Sequence, residues 1–271
     1  MPESPQMVFL LGKPPTRRAL FPAVFARLRK AGMSVETMLP HSDPGFEPRA
    51  LLGVDLVVQR GLRSAVLAEL EAIEQAGVRF CNSVAASRLV RDRDRLSRHL
   101  AAAGLPVPEA LRVADWRAAR AAAGGRDVVL KAIDGGHGRG AGVVFVRGHD
   151  WPCQVLLEGP LLVEPRIPND GFDRKLYIAG DACRGLLKRW PRDPTTPAAP
   201  FTPDAALANL ARRVGASVGL EVFGVDVVLG AAGPVIVDVN LFPSFDGIAD
   251  APRLIGAHLL RIARPADRQR R

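Results

Sequence analysis

The chain has 271 residues, a formal net charge of +9 and a hydrophobic fraction of 48%, enough for one to three buried cores. Its three scattered cysteines indicate neither a disulfide framework nor a zinc cluster, and neither a membrane-spanning run nor a secretion leader is predicted. We therefore expect a cytoplasmic protein without a membrane partner. Because the cations follow no helix-turn-helix, RNP-like or Cys/His pattern, no nucleic-acid partner is expected, and the basic surface favours anionic small molecules.

The first 82 residues alternate short apolar strands with helices. Strands are predicted at 7–11, 34–39, 54–58 and 78–81, and helices at 21–30 and at 64–77, the second capped by Ser64. This order predicts a small α/β domain with a mainly parallel sheet. Lys13 and Arg60 follow two of the strands, at the edge where open sheets bind ligands. The alternative is that both are solvated loop cations.

One long helix is predicted at 84–103, ending at Gly104 and the rigid segment 105–108. The alternating charges at 91–95 are typical of an exposed helical face. This helix and turn join the first domain to the next.

A glycine-rich hairpin follows a short helix that Asp115 caps. Lys131 lies on its first strand, and five glycines between positions 135 and 142 connect that strand to the apolar run 143–146. Such a loop frees backbone N–H groups to approach phosphate, and the lysine adds charge. Because the loop returns into a strand, it matches neither a Walker A nor a Rossmann motif; the alternative is a plain surface loop. The candidate loop residues for binding phosphate are Gly136, His137, Gly138 and Gly140.

The next segment predicts a strand at 161–167 and paired strands at 175–179 and 182–190 around the turn at 180–181. Cations are spaced by two along these strands and would share one face with Tyr177 unless a bulge shifts the register. The proline-rich stretch 192–200 is predicted to be a mobile loop, and Thr202 to cap the helix that runs to 218. The residues of the shared face are Lys175, Tyr177, Arg184 and Lys188.

A valine-rich hairpin at 225–239 carries the metal-binding candidates. If its loop is centred on Ala232, Leu229 faces Val235 and Asp226 faces Asp238. Two carboxylates so opposed repel unless a cation lies between them, and oxygen ligands suit Mg²⁺. Asn240 shares the face of Asp238 and adds an amide oxygen. The alternative is a solvated hairpin without metal.

Taken together, the pieces resemble the ATP-grasp enzymes over nearly the whole chain. The order of a small α/β domain, a glycine-rich lysine hairpin, a hinge strand and a metal hairpin is theirs. The resemblance implies an α/β (α+β) ATP-grasp fold with an N-terminal pre-grasp domain. The implied divisions are the pre-grasp domain 1–82, the linker 83–108, the central lid subdomain 109–163, the C-terminal subdomain 164–264 and a basic tail 265–271.

Two branches of that superfamily are similar to this chain. RimK-like peptide ligases resemble it in the helix before 104–108 and in the frame from Gly224 to Asn240. Inositol polyphosphate 5/6-kinases resemble it in 238–243, where the ligases more often carry Glu at the position of Asp238.

The resemblance also assigns nucleotide-binding residues. Lys131 and Lys175 would contact phosphates, together with Arg93 or Arg95 in place of the lysine that the family usually has on the linker helix. The adenine hinge would contact the base largely through its backbone, and one of its positions holds proline where the family often has Glu. The hinge residues are Glu164, Pro165, Arg166 and Ile167.

Substrate contacts are implied in the same way. Lys175 and Arg189 match cationic catalytic positions, and Arg189 and His137 match positions that contact substrate. Lys13 and Arg60 match two substrate-binding lysines of the kinases. Ser244, in the turn after the metal hairpin, completes the predicted substrate site.

The resemblance favours an ATP- and Mg²⁺-dependent ligase, with Mn²⁺ as a substitute metal, that joins a carboxylate to an amine through an acyl phosphate. The alternatives are an ATP-grasp kinase that phosphorylates an inositol phosphate or similar polyol, and a non-catalytic nucleotide-binding protein, which the arginines on the linker helix motivate. The expected partner is an anionic small molecule or peptide. Pairing of two copies through the N-terminal domain is implied by the family.

Overall fold

The structure, a computed structural model, describes residues 5–16, 20–134, 142–190 and 195–263. The predicted loop residues Gly136, His137, Gly138 and Gly140 lie outside these ranges, as does the basic tail. Within the described residues, each helix is too short or too polar to span a lipid bilayer.

The N-terminal domain is built on a parallel sheet, as predicted, and helices cover both of its faces. Its strand order is β2-β1-β3-β4, and β1 is buried on both sides because Phe9 packs toward α1 while Leu10 packs toward α2. The elements are β1 (Gln6–Leu11), α1 (Leu20–Lys30), β2 (Ser34–Met38), a 3₁₀ turn (Pro48–Leu51), β3 (Leu56–Arg60), α2 (Ser64–Gln75) and β4 (Phe80–Cys81).

One predicted cap in this domain is wrong. Ser64 is the first residue of α2 and Arg63 stands at the N-cap, where its side chain makes no capping hydrogen bond. The Ser64 Oγ instead accepts a hydrogen bond from Arg91 Nε at 3.2 Å, so this hydroxyl ties α2 to the following linker.

The linker is two helices rather than the single one predicted. α3 (Val84–Arg91) ends at Asp92, whose extended backbone cannot continue a helix, and Asp92 then caps α4 (Arg93–Ala102) by accepting from the Arg95 N–H. Asp92 also forms an isolated antiparallel bridge with Asp134. A charged run that resembles one helical face therefore contains a cap.

The central domain is a four-stranded sheet in the order β5-β8-β6-β7 with one helix against it. As predicted, Asp115 caps the helix by accepting from the Ala118 N–H, Gly124 ends it in the left-handed region, and the strands flanking the glycine-rich loop pair with each other. The elements are β5 (Leu111–Val113), α5 (Trp116–Ala123), β6 (Val128–Ala132), β7 (Val143–Val146) and β8 (Leu161–Pro165).

The C-terminal domain is a five-stranded antiparallel sheet in the order β11-β10-β9-β12-β13, with α6 on one face and α7 toward the N-terminal domain. The turn at Gly180 joins the two predicted strands. The elements are β9 (Phe172–Ala179), β10 (Ala182–Arg189), β11 (Ala199–Phe201), α6 (Ala205–Val218), β12 (Val222–Gly230), β13 (Gly233–Leu241) and α7 (Ala251–Ala263).

Two expectations in this domain need correction. The end of the proline-rich stretch pairs with β10 as β11, so that part of the predicted mobile loop is an edge strand. Because β11 extends to Phe201, Thr202 is not the cap of α6; Asp204 is, and it accepts from the Leu207 N–H at 2.8 Å.

The predicted domain boundaries are not all at element ends. A division between 163 and 164 would cut β8, all of which pairs within the central sheet. We propose to place that boundary after Pro165; the other divisions stay predictions.

A tight approach of two backbone turns carries Lys13 and Arg60. The Gly12 N–H donates to the Arg60 carbonyl at 2.9 Å, and a Cβ at Gly12 would lie 2.1 Å from the Gly61 carbonyl oxygen. The two cations therefore leave the sheet at one edge, as predicted, because these turns can approach closely without side chains.

We expect Gly12→Ala to destabilise the protein by about 1–3 kcal/mol, because the methyl group meets backbone that must shift. The measurement is the midpoint of thermal unfolding. Gly45→Ala is the matched control, since the nearest atom to its Cβ is the Asp43 carboxylate at 3.4 Å. Equal midpoints for the two variants would contradict the proposed constraint.

Candidate active site

The centre of the site is the hairpin of β12 and β13. Asp226 pairs directly with Asp238, as predicted, although the register near the turn differs from the predicted one: Leu229 pairs with Pro234, not Val235. A bulge at Val237 adds one residue between Ile236 and Asp238 and restores the expected pairing of the two aspartates.

The bulge separates two roles along one strand. Because it shifts the side-chain alternation, Ile236 and Val239 both face the core beneath α6, while Asp238 points to the opposite face with Asp226. It also leaves the Val237 carbonyl outside the ladder, and Lys131 Nζ donates to that oxygen at 2.7 Å.

Lys175 lies in the same row of side chains as the two aspartates. It pairs with Asp226 across β9 and β12, and its ammonium group is hydrogen-bonded to the Asp226 carboxylate. The Asp173 carboxylate lies 3.3 Å from the same nitrogen. A lysine therefore lies among the carboxylates that the sequence assigned to metal.

Asp173 is a site residue that sequence reasoning missed. Its Oδ1 atom is buried without a hydrogen-bond partner, and Lys188 faces it across the β9–β10 pair. The signal was available: Asp173 precedes Lys175 by two residues and so shares its face.

Burial shifts the pKa values of Asp226, Asp173 and Lys175. Burial, together with the negative charge of Asp173, raises the pKa of Asp226 to about 7, against the opposing effect of Lys175. Burial also raises the pKa of Asp173. Burial lowers the pKa of Lys175, but the carboxylates of Asp226 and Asp173 outweigh it and hold that pKa above its usual value. The site thus concentrates more negative charge than one lysine neutralises.

The donor set fits a hard divalent cation. It consists of carboxylate and amide oxygens, and the Asn240 Nδ2 donates to Asp238 Oδ2 at 3.3 Å, which leaves the Asn240 amide oxygen for other contacts. Oxygen ligands of this kind suit Mg²⁺, and the unpartnered Asp173 oxygen gives a further donor. The donors are Asp173, Asp226, Asp238 and Asn240.

A narrow cleft beside this cluster contains Lys131 and Glu164. These side chains form a buried ion pair, with Lys131 Nζ 2.6 Å from Glu164 Oε2. The cleft runs between α4, the central sheet and β13, and its space for water-sized molecules is about 30 Å³. Arg93 and Asp238 both line it, so it connects the linker to the carboxylates.

The structure distinguishes the two arginines on the linker. Arg93 lines the cleft and donates from Nη1 to the Ala132 carbonyl at 2.9 Å, beside Lys131. Arg95 is exposed and does not line the cleft. The cap at Asp92 sets this orientation because it fixes where α4 begins.

The predicted hinge is only partly a strand. Glu164 and Pro165 end β8, and Arg166 and Ile167 follow in a loop. Arg166 stacks over the Phe145 ring at 5.2 Å and pairs with Asp127 at 3.5 Å, while Ile167 lies against the β12–β13 turn. The hinge thus spans the central and C-terminal sheets.

The structure does not bring Arg189 into the carboxylate cluster. Its register partner is Phe172, over whose ring the guanidinium lies at 5.5 Å, on the opposite face from Lys175. Lys188 shares the face of Lys175, as do Tyr177 and Arg184, which confirms that predicted face. The substrate and catalytic roles predicted for Arg189 stay predictions.

The remaining predicted substrate residues lie toward the N-terminal domain. Arg60 is half-buried with its guanidinium 5.4 Å from the centre of the Phe21 ring, and Lys13 is exposed near it. Phe21 in turn contacts Phe242, two residues before Ser244. The aromatic contacts therefore link the N-terminal cations to the turn after the metal hairpin.

Comparison with known proteins identifies the fold. The chain is 27% identical to a RimK domain ATP-grasp protein from Sphaerobacter thermophilus DSM 20745, with a TM-score of 0.75 over 93% of this chain and 98% of that one. The ATP-grasp ligase PsnB, solved with precursor peptide PsnA2 and AMPPNP, gives a TM-score of 0.69 at 18% identity, over 96% and 98% of the two chains.

A curated sequence relative gives the same class. A protein of Cellvibrio japonicus (strain Ueda107) named "Probable alpha-L-glutamate ligase" is 28% identical in an alignment 244 residues long that covers 79% of this chain and 79% of that protein. No family model matches the sequence.

The fold is that of ATP-grasp proteins, and the curated relative is named a ligase. Within that class, the comparisons support an ATP-dependent, RimK-like ligase that joins a carboxylate to an amine. The inositol polyphosphate kinase branch is not shown by these comparisons.

We expect Lys175→Met to lower the free energy of unfolding by about 3 kcal/mol in the absence of divalent cations, because it leaves the Asp173 and Asp226 carboxylates without the ammonium group that pairs with both. Thermal unfolding with and without Mg²⁺ is the measurement. Added Mg²⁺ should restore stability to this variant more than to the wild type, because a cation can replace the lost charge.

Arg166→Met provides a matched comparison, since it removes an exposed ion pair worth about 0–1 kcal/mol. A Lys175→Met variant as stable as Arg166→Met, and indifferent to Mg²⁺, would contradict the electrostatic account of the cluster.

Proposed function

We propose that this protein binds ATP with Mg²⁺ and uses it to activate a substrate carboxylate as an acyl phosphate, which an amine then captures. The observation that carries this proposal is the cluster of Asp173, Asp226 and Asp238 around Lys175, next to a cleft that holds Lys131.

We assign nucleotide binding to the cleft. Lys131 and Arg93, which line it, would supply positive charge for the phosphates, and the backbone of 164–167 would hold the adenine. Since Lys131 is paired with Glu164 and the Val237 carbonyl, phosphate binding exchanges these partners for phosphate oxygens. The cleft has space for a water or two, so the central and C-terminal sheets move apart to admit the nucleotide.

The oxygen donors of β9, β12 and β13 would hold Mg²⁺, or Mn²⁺ in its place. These donors belong to Asp173, Asp226, Asp238 and Asn240. When bound, the cation supplies compensation for phosphate charge. Strand pairing fixes Lys175 in place. Its positive charge is therefore positioned before the reaction begins, and no solvent reorganisation is needed.

The chemistry then needs no covalent enzyme intermediate. An oxygen of the substrate carboxylate attacks the γ-phosphorus, the bond to the bridging oxygen breaks, and ADP leaves. The amine nitrogen of the second substrate attacks the acyl carbon, the carbon–oxygen bond to phosphate breaks, and an amide and inorganic phosphate form. The proton lost by the amine passes to solvent.

The substrate is proposed to be an anionic small molecule or peptide. Lys13 and Arg60 carry positive charge at the edge of the N-terminal sheet, and Ser244 lies in the turn after the metal hairpin, two residues beyond Phe242, which contacts Phe21 of the N-terminal domain. Cations at such an edge attract a carboxylate that is not itself the reacting group.

One observation favours a second candidate, a polyol kinase. Position 238 holds Asp, whereas the ligases more often carry Glu there. In that case a hydroxyl oxygen attacks the γ-phosphorus and the product retains the phosphate.

ATP turnover with Mg²⁺ against amino acids, dicarboxylates, peptides and inositol phosphates distinguishes these functions. We expect inorganic phosphate to appear when a carboxylate and an amine are both present, and hydroxylamine to trap the acyl phosphate as a hydroxamate. Phosphorus NMR that instead shows a new phosphoester on a polyol would replace the ligase with the kinase.

Asp238→Asn should reduce turnover by roughly 100-fold or more, because it removes charge at the reacting phosphate. Asp181→Asn, an exposed change at the β9–β10 turn, is the control and should retain full activity. A wild type that neither binds nor turns over ATP would overturn the proposal.

Arg93 and Arg95 provide an internal comparison. We expect Arg93→Leu to weaken ATP binding about tenfold, since a charged hydrogen bond contributes roughly 1.5 kcal/mol, and Arg95→Leu to change it less than about twofold. Calorimetric titration with a nonhydrolysable ATP analogue measures both. Equal losses would contradict the orientation that the Asp92 cap gives to α4.

A further inference from the structure

A second cluster of ligating side chains lies away from the nucleotide cleft. The Cys81 sulfur, a Glu221 carboxylate oxygen and a His258 ring nitrogen all lie within 4.8 Å of one another. They come from the end of β4, the residue before β12 and the middle of α7. The scattered cysteines gave no sign of this site, because its members are separated by 140 and 37 residues in the sequence.

The histidine supplies an independent sign of a missing ligand. His258 is 5% exposed, and its Nε2 atom is buried without a hydrogen-bond partner. That atom lies 3.1 Å from Glu221 Oε2, so two of the candidate ligands already face each other. A buried ring nitrogen without a hydrogen-bond partner destabilises the folded protein unless a ligand binds it.

The backbone around the cluster is held rigidly. Asn82, next to Cys81, accepts hydrogen bonds from the Glu221 and Val222 N–H groups at 2.7 and 2.8 Å and donates to the Val222 carbonyl. The Gly180 N–H donates to the Glu221 carbonyl at 2.9 Å. Cys81 and Glu221 are therefore fixed relative to each other before any ligand arrives.

We propose that Cys81, Glu221 and His258 form a binding site for Zn²⁺, separate from the Mg²⁺ site. A sulfur, an imidazole nitrogen and a carboxylate oxygen are the donors that zinc takes, and its bond lengths of about 2.0–2.3 Å place ligands about 3.3–3.8 Å apart. Small adjustments bring donors within 4.8 Å to that spacing. Water completes the shell on the side where the Glu221 side chain is 29% exposed.

Two arginines flank the site and set its proton balance. Arg79 Nη2 lies 3.5 Å from Glu221 Oε1, and Arg261 Nη2 lies 3.0 Å from His258 Nδ1. Because arginine only donates, Nδ1 accepts and Nε2 carries the ring proton in the metal-free protein. Burial raises the pKa of the Cys81 thiol well above its usual value, so the thiol is protonated as well.

Zinc binding therefore displaces protons in a defined way. The Cys81 thiol proton is released to solvent, and the His258 proton moves from Nε2 to Nδ1 as the exposed Arg261 side chain swings aside. The bound ion would join the N-terminal sheet to the strand that carries Asp226. Its role is to stabilise that junction.

The test is a titration of the metal-free, full-length protein with zinc chloride, followed by calorimetry and native mass spectrometry, and a parallel titration with Co²⁺. We expect one ion per chain, a raised unfolding temperature, and a thiolate-to-cobalt charge-transfer band. Millimolar Mg²⁺ should not displace the ion. Absence of a bound ion, or a cobalt spectrum without the thiolate band, would overturn the proposal.

Variants locate the site. Cys81→Ser and His258→Gln should each lower zinc affinity by at least the roughly 10–100-fold that outer-shell changes cost, whereas Cys183→Ser should bind as the wild type does. Arg261→Gln should bind zinc more tightly, because glutamine can accept the Nδ1 proton that arginine opposes. Unchanged affinity in Cys81→Ser would refute the assignment, and if that variant fails to fold, the wild-type cobalt spectrum decides.

Discussion

The structure of the site depends on one electrostatic constraint, the opposition of two aspartates across an antiparallel strand pair. Ionisation of both Asp226 and Asp238, which lie directly opposite each other, is unfavourable without a compensating cation. In the metal-free protein that cation is Lys175, placed by its own strand pairing. The carboxylates, Lys175 and the unpartnered oxygen of Asp173 together form a site that can accept further positive charge.

The sequence predicts this site because side chains alternate between the two faces of a strand with a period of two. The pairing of Asp226 with Asp238 follows from counting outward from the turn. Near the turn, the predicted partners on β13 are one residue too far along the strand. The extra residue of the bulge at Val237 removes this shift, so the two aspartates pair as predicted. The bulge depends on a tertiary contact, because its carbonyl accepts a hydrogen bond from Lys131 on another sheet. The valine-rich sequence of the strand therefore does not predict it.

Other differences have the same origin in context. The alternation that placed Lys188 beside Asp173 excludes Arg189 from that face, although both cations are adjacent in sequence. The charged run at 91–95 has the alternating charges of an exposed helical face, but the helix breaks at Asp92. The break is stabilised by the Arg93 N–H, which donates to the Ile133 carbonyl at 3.0 Å, and by the bridge between Asp92 and Asp134. The α/β alternation and the order of domains were predictable because they rest on long apolar patterns, whereas caps and bulges rest on partners distant in sequence.

The aromatic contacts between the N-terminal domain and the metal hairpin limit which segments can be exchanged between relatives. Phe9, Phe21 and Phe25 of the N-terminal domain form one buried cluster, and Phe242, two residues after Asn240, packs into it 5.5 Å from Phe21. A recombination event that exchanged only the N-terminal domain would replace Phe21, the ring that contacts Phe242, and keep the fully buried Phe242. A chimaera between relatives would therefore have to carry both segments together to preserve the packing of Phe242, which follows the strand that bears Asn240.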